Sequence, residues 1–216
     1  MTDDVFLKLE NAVVNYNSVL VEELASNAIK QGYSPLECVS ALTRGIRKVG
    51  EGYEKGELFL PSLIGASNAM QAAMPFLSKE IEKSGEKINK LGTVVIGTVF
   101  GDIHSIGKTM VMTLLLAEGF EVIDLGVNVK AEYFVESVKR YGAHMLALSS
   151  LLSTTMLEQK NIIKILIKEN IRDRVKVMIG GAPVTQEYAD SIGADGYDAS
   201  AVGAVKLAKI LFLNKS

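Results

Sequence analysis

Cysteine, histidine and tryptophan are nearly missing from this chain. Its 216 residues include one cysteine (Cys38), two histidines (His104 and His144), four prolines and no tryptophan. A single cysteine excludes an intrachain disulfide and a cysteine-rich metal centre, and it fits a reducing compartment. No apolar run is long enough to span a bilayer. The N-terminus, Met1-Thr2-Asp3-Asp4, lacks the charged-then-apolar layout of a signal peptide. The expected location is therefore the cytoplasm, with no membrane partner. Neither sign of charge is in excess: 23 Lys and Arg are interspersed with 25 Asp and Glu, for a formal net charge of −2. Without a basic stripe, nucleic-acid binding has no electrostatic support. What the chain does have is apolar residues, 48% of the total, enough for a substantial core.

The apolar residues follow two periodicities. Residues 1–83 read as helix only. Val5, Leu9, Val13 and Val14 mark a first amphipathic helix. Val19, Val21, Leu24, Ala25, Ala28 and Ile29 mark a second, with Gly32 placed to end it. Ser34-Pro35 opens a third as N-cap and first-turn proline, running through Val39, Leu42 and Ile46. Leu60-Pro61 opens a fourth, through Leu63, Ile64, Ala69, Ala73 and Leu77. Short connections and an apolar stripe on every segment predict an antiparallel four-helix bundle. Residues 84–91 are polar and aperiodic and read as a linker and hinge.

From residue 92 to 216 strand and helix alternate. Strands are predicted at 93–99, 121–125, 145–149, 175–179 and 195–198. Helices are predicted at 107–118, 130–141, 155–170, 185–192 and 201–213. Short, nearly continuous apolar strands separated by helices indicate a parallel sheet covered on both faces, a doubly wound, flavodoxin-like α/β domain. The assumed strand order is 2-1-3-4-5. In such a sheet a ligand sits beyond the carboxyl ends of the strands, where the order reverses, between strands one and three.

Three segments fall on that edge. The loop after strand one is Gly101-Asp102-Ile103-His104-Ser105-Ile106-Gly107. The loop after strand three begins Ser149-Ser150-Leu151-Leu152-Ser153-Thr154-Thr155, and strand four ends at Gly180-Gly181. A carboxylate two residues before a histidine can take the proton of one ring nitrogen, which fixes the tautomer and leaves the other nitrogen free for a metal. The plainer alternative is a loop histidine that caps a helix.

Asp-x-His-x-x-Gly, then Ser-x-Leu, then Gly-Gly resembles the cobalamin-binding domain of methionine synthase, the base-off mutases and the corrinoid proteins of methyltransferase systems. In the helical half, Gly52-Tyr53-Glu54-Lys55-Gly56-Glu57-Leu58-Phe59-Leu60-Pro61 is similar to the cap bundle of methionine synthase and its small corrinoid relatives. The resemblance covers nearly the whole chain. It implies that His104 is the lower axial ligand of the cobalt, through Nε2. It implies further that Asp102 holds the ring's other nitrogen and that Thr155 supplies a hydroxyl to Asp102. Ser149 and Leu151 would line the displaced benzimidazole tail, beside Ser153 and the first-loop residues Ser105 and Ile106. Gly107, Gly180 and Gly181 would let backbone approach the cofactor closely. Ser105 departs from the aspartate many corrinoid proteins carry, a change that bears on hydrogen bonding to corrin amides. Tyr53, Leu60, Leu63 and Ile64 align with cap residues that shield the upper face; bundle core is the alternative for each.

The function this implies is a methyl carrier. Cobalt as Co(I) takes a methyl group on a substrate-specific methyltransferase of the methanol, methylamine or aryl methyl ether type. As methyl-Co(III) it gives the group up on a second methyltransferase, to a thiol or tetrahydrofolate, with a reductive activase restoring Co(I). On this reading the chain is no enzyme by itself. The alternatives are a cobalamin-dependent sensor or regulator, which would carry an added DNA-binding domain, and the small subunit of a mutase, which generally lacks this cap. Elsewhere, Cys38 is expected to be buried and inert, and Met70, Met74, Met110 and Met112 to fill core. Lys108 is expected to be solvated, and His144 to lie on the surface at the far end of the sheet.

Overall fold

In a computed structural model, residues 2–84 and 90–213 are described. The chain divides into two compact units, Met1–Lys90 with Leu116–Gly119, and Leu91–Leu115 with Phe120–Ser216. Of the expected linker, residues 85–89 lie outside the described residues.

Four helices make up the first unit: α1 (Thr2–Val14), α2 (Ser18–Lys30), α3 (Pro35–Glu54) and α4 (Leu60–Ser84). Their starts follow from local chemistry. Asn17 caps α2 by accepting from the Leu20 N–H at 3.0 Å, and Ser34 caps α3 by accepting from Leu36 N–H at 3.2 Å ahead of Pro35. The stripes expected from sequence are buried, with Leu9, Val13, Val21, Ala25, Leu42, Ile46, Leu63 and Leu77 all fully enclosed. Val19 is the exception at 77% exposed. The cap at Asn17 puts Val19 in the first turn, rotated off the 21–25–28 stripe.

The second unit alternates β1 (Thr93–Thr98), α5 (Ile106–Ala117), β2 (Glu121–Asp124), α6 (Ala131–Tyr141), β3 (Met145–Ser149), α7 (Leu157–Lys168), β4 (Lys176–Gly180), α8 (Gln186–Ile192), β5 (Gly196–Tyr197) and α9 (Ala201–Leu213). A short 3-10 turn, Arg172–Arg174, precedes β4. The sheet is parallel throughout, in the order β2-β1-β3-β4-β5. All six residues of β1 are buried, as an interior strand of a sheet covered on both faces requires. One covering layer packs Phe134, Val135 and Val138 of α6 and Ile162, Ile163 and Leu166 of α7 against Val95, Leu146, Val177 and Ile179. The fifth strand is shorter than expected because the Asp198 carboxylate captures the Ser200 N–H and hydroxyl and turns the chain into α9.

Register fixes the location of the site. Thr98 pairs with Ser149, and Ser149 with Gly180. The carboxyl ends of β1, β3 and β4 are therefore level, and the three loops that leave them start side by side.

Candidate functional site

The β1–α5 loop is held from both sides. Thr98, fully buried, donates its hydroxyl to the His104 carbonyl at 2.9 Å. Asn128, from the loop after β2, accepts from the Gly101 N–H through its side chain and donates its own N–H to the Asp102 carbonyl, both at 2.8 Å. Asn128 does this with φ at 56°, the left-handed region that asparagine tolerates better than most residues. Neither residue was singled out from sequence. Asparagine after Gly126-Val127 was the available signal.

Asp102 is the hub. Its side chain has no exposed surface. Oδ1 accepts from the His104 N–H at 3.0 Å and lies 2.8 Å from His104 Nδ1. Oδ2 accepts from the Leu151 N–H at 2.7 Å and from the Thr155 hydroxyl at 2.9 Å. Burial alone would push this carboxyl up. The two N–H donors, then the imidazole and the Thr155 hydroxyl, outweigh it and hold the group well below the usual carboxylate range. Asp102 is thus an anion whose lone pairs are all spoken for. In the neutral ring this contact places the proton on Nδ1 and the lone pair on Nε2, and the side chain is 49% exposed. A second hydroxyl stands behind Thr155: Ser150 Oγ, fully buried, is 2.8 Å from Thr155 Oγ1. Sequence reasoning passed over Ser150 in favour of Ser149.

The surroundings expose apolar side chains and open backbone. Ile103, Ile106, Leu151 and Leu152 all expose more than two-fifths of their surface around the histidine. A Cβ built on Gly107 or on Gly180 would meet nothing within 4 Å. Ser149 is half-buried, and its hydroxyl has no hydrogen-bond partner among the described residues. Ser105 is half-buried and Ser153 exposed. Gly181 has a different reason to be glycine, since its backbone lies at φ 130° and a Cβ there would collide with Ser150.

Among the described residues, no three His, Cys, Asp or Glu side chains gather so as to hold a metal ion. A metal on His104 would have to bring its other ligands with it, as one seated in a macrocycle does. The family comparisons agree. A family model described as B12 binding domain matches residues 92–206, and a second of the same description matches residues 5–78.

The chain belongs to the B12-binding family.

Trimethylamine corrinoid protein 1 of Methanosarcina acetivorans is 42% identical over 212 residues, 98% of each chain. Dimethylamine corrinoid protein 2 of the same organism is 42% identical over 214 residues, 99% of this chain and 98% of that one. Among solved structures, the methanol:cobalamin methyltransferase complex of Methanosarcina barkeri matches with a TM-score of 0.84 at 29% identity, over 99% of this chain and 81% of that one. The monomethylamine corrinoid protein of Methanosarcina barkeri matches with a TM-score of 0.55 at 37% identity, over 98% and 100%.

Two expectations for this B12-binding chain need correction, those for Lys108 and His144. Lys108 is not solvated: its side chain is 3% exposed and ion-paired with Asp124 at the end of β2. The sheet order that sets β2 beside β1 brings that carboxylate to α5. His144 does sit at the amino end of β3, far from the loop edge, but is half-buried; its Nδ1 accepts from the Thr93 N–H at 3.1 Å and its ring meets Phe212 edge-on. Leu63 has no exposed surface and is bundle core, whereas Tyr53, Leu60 and Ile64 are half-buried. No helix among the described residues is long and apolar enough to cross a membrane.

Proposed function

We propose that this protein binds a corrinoid through His104 and carries a methyl group between two methyltransferases. The observation that supports the reading most is the imidazole itself. It stands at the switch point of a parallel sheet, with Nδ1 tied to a fully buried anion and about half of the side chain exposed. When bound, the corrinoid supplies a cobalt that accepts and gives away a methyl group.

The chain's own part is to hold and orient. Asp102 fixes the tautomer of the neutral ring, so the lone pair is on Nε2, and it holds the ring's orientation. Thr155 and the Leu151 N–H hold the carboxylate in turn. Gly107 and Gly180 give a ligand access to the backbone, and Ser149 and Leu151 offer a hydroxyl and an apolar face for a buried nucleotide tail. Ser105, Ile106 and Ser153 border the same opening.

Substrate chemistry belongs to partners on this reading, and the chain alone turns nothing over. The trimethylamine and dimethylamine names among its relatives favour a methylated amine as donor. The complex among the structural matches favours a substrate methyltransferase as the first partner. A second methyltransferase and a reductive activase complete the cycle.

Titration of the apoprotein with hydroxocobalamin, followed by absorbance, tests this. The expected result is stoichiometric binding with a change to the histidine-ligated spectrum, which His104→Ala abolishes without unfolding the chain. Failure of the folded wild type to bind would overturn the proposal.

A further inference from the structure

Thr155 has one hydroxyl proton and three oxygens in reach. Its Oγ1 lies 2.9 Å from Asp102 Oδ2, 3.1 Å from the Leu152 carbonyl and 2.8 Å from Ser150 Oγ. Ser150 Oγ is itself 3.2 Å from the Leu152 carbonyl. Three proton arrangements satisfy these distances. In the first, Ser150 donates to Thr155 and Thr155 donates to Asp102. In the second, Ser150 donates to Leu152 and Thr155 turns to Ser150 or Leu152, leaving Oδ2 with the Leu151 N–H alone. In the third, Ser150 donates to Leu152 while Thr155 still donates to Asp102. An ionised carboxylate is a stronger acceptor than an amide carbonyl, which disfavours the second. The shorter reach of Ser150 Oγ to Thr155, 2.8 Å against 3.2 Å to the Leu152 carbonyl, favours the first over the third.

We infer that Ser150 is a positioning residue for His104: its hydroxyl directs the Thr155 proton onto Asp102 and so tempers the pull of that carboxylate on the imidazole. The inference rests on the reading of His104 as the cobalt ligand. Ser150 is suited to the task because it is buried and bonded nowhere to solvent. Its main chain is also fixed, with its N–H donating to the Gly180 carbonyl at 3.0 Å.

The direction of the effect follows from polarisation along a hydrogen-bonded chain. A donor into Thr155 Oγ1 strengthens Thr155 as a donor to Oδ2. Charge drawn to Oδ2 is withdrawn from Oδ1, so the Nδ1–H bond weakens and Nε2 becomes a poorer electron donor. Deleting the Ser150 hydroxyl reverses this. Thr155 loses its polarising donor and becomes a weaker donor to Oδ2, the carboxylate regains charge on Oδ1, and His104 becomes a stronger ligand. Reduction to Co(I), which holds no axial histidine, then becomes harder.

The test compares wild type, Ser150→Ala, Thr155→Val and the double variant, each loaded with hydroxocobalamin at one pH. Wild type must first show the histidine-ligated spectrum that His104→Ala loses; its absence would defeat the ligand reading rather than this inference. With that in place, the Co(II)/Co(I) midpoint of Ser150→Ala should move negative by a factor of about three in the reduction equilibrium, ~30 mV for one electron. Thr155→Val should move it further the same way. In the Thr155→Val background Ser150→Ala should add nothing, because the serine acts through the threonine. In the apoproteins at the same pH, the His104 Nδ1–H resonance should shift downfield in Ser150→Ala. An unmoved midpoint and resonance would overturn the inference, and so would an undiminished Ser150→Ala effect in the double variant. Should Ser150→Ala fail to fold, Ser150→Cys, of similar shape and with a weaker donor, decides by the same readouts.

Discussion

A methyl group on Gly181 would lie 1.5 Å from the backbone oxygen of Ser150. No side-chain motion relieves that contact, because the obstacle is main chain that is itself fixed by the strand pairing of β3 with β4. The backbone at Gly181, φ 130°, disfavours any other residue in addition. Gly180, its neighbour, has open space where its Cβ would stand. The pair therefore divides into a glycine that the fold requires and one that it does not.

Gly181→Ala should cost about 3 kcal/mol or more of stability. Gly180→Ala should leave stability within about 0.5 kcal/mol of wild type, yet weaken hydroxocobalamin binding about tenfold or more by filling room the cofactor needs. Urea unfolding and the absorbance titration check the two halves. Equal binding by Gly180→Ala would show that no ligand approaches that backbone.

Asp102 should make the protein acid-sensitive in a defined window. Its folded pKa lies below the ordinary value near 4, so the unfolded chain takes up this proton first as the pH falls. The carboxylate's contribution is then complete above about pH 5 and declines below about pH 4, by up to ~1.4 kcal/mol per pH unit. Asp102→Asn, which turns an amide N–H against the Leu151 N–H and the Thr155 hydroxyl, should cost about 2–3 kcal/mol at pH 7. The gap between the two proteins should stay constant from pH 7 to 5 and narrow by pH 3. A gap unchanged at pH 3 in urea titrations would contradict a depressed carboxyl.

The architecture was legible because parallel strands buried on both faces read as unbroken apolar runs. The runs at Val94-Val95-Ile96 and Leu146-Ala147-Leu148 stand at the centre of the sheet, and the assumed strand order is the observed one. The Asp102–His104–Thr155 grouping was legible only through the family pattern, since nothing local to Thr155 says that it reaches a carboxylate 53 positions away. Element ends were read less well where side chains are spent on the site. Helix α7 starts at Leu157 rather than at 155, and Thr155 is the residue bonded to Asp102. Thr98, Asn128 and Ser150 were missed for the same reason: each acts on a partner that only the folded loops bring near.

Lys108 and Asp124 should respond unequally to mutation. The ammonium is almost wholly enclosed, while the carboxylate keeps 32% of its side chain exposed and also accepts from the Gly126 N–H at 2.9 Å. Asp124→Asn strands a buried cation without a counter-charge and should cost about 2–3 kcal/mol. Lys108→Met keeps the volume of the stem and leaves a carboxylate that water can reach, so about 1 kcal/mol is expected. Thermal or urea unfolding of the two variants checks the order. A larger loss in Lys108→Met would mean that the lysine's hydrogen bonds, and not its charge, matter most.

Cys38 should report unfolding and nothing else. It has no exposed surface on α3, and burial, with the nearby charge of Glu37, pushes its thiol up to about 11. Only a thiolate attacks a disulfide reagent, so at pH 8 the native thiol is both shielded and protonated. Labelling by an aromatic disulfide should be slow in buffer, and complete and rapid in denaturing urea, where the thiol regains an ordinary pKa. Below the unfolding transition the labelling rate should follow the unfolding equilibrium measured by circular dichroism, because reaction requires an opened state. Fast stoichiometric labelling of the folded protein would show instead that α3 opens locally around Cys38.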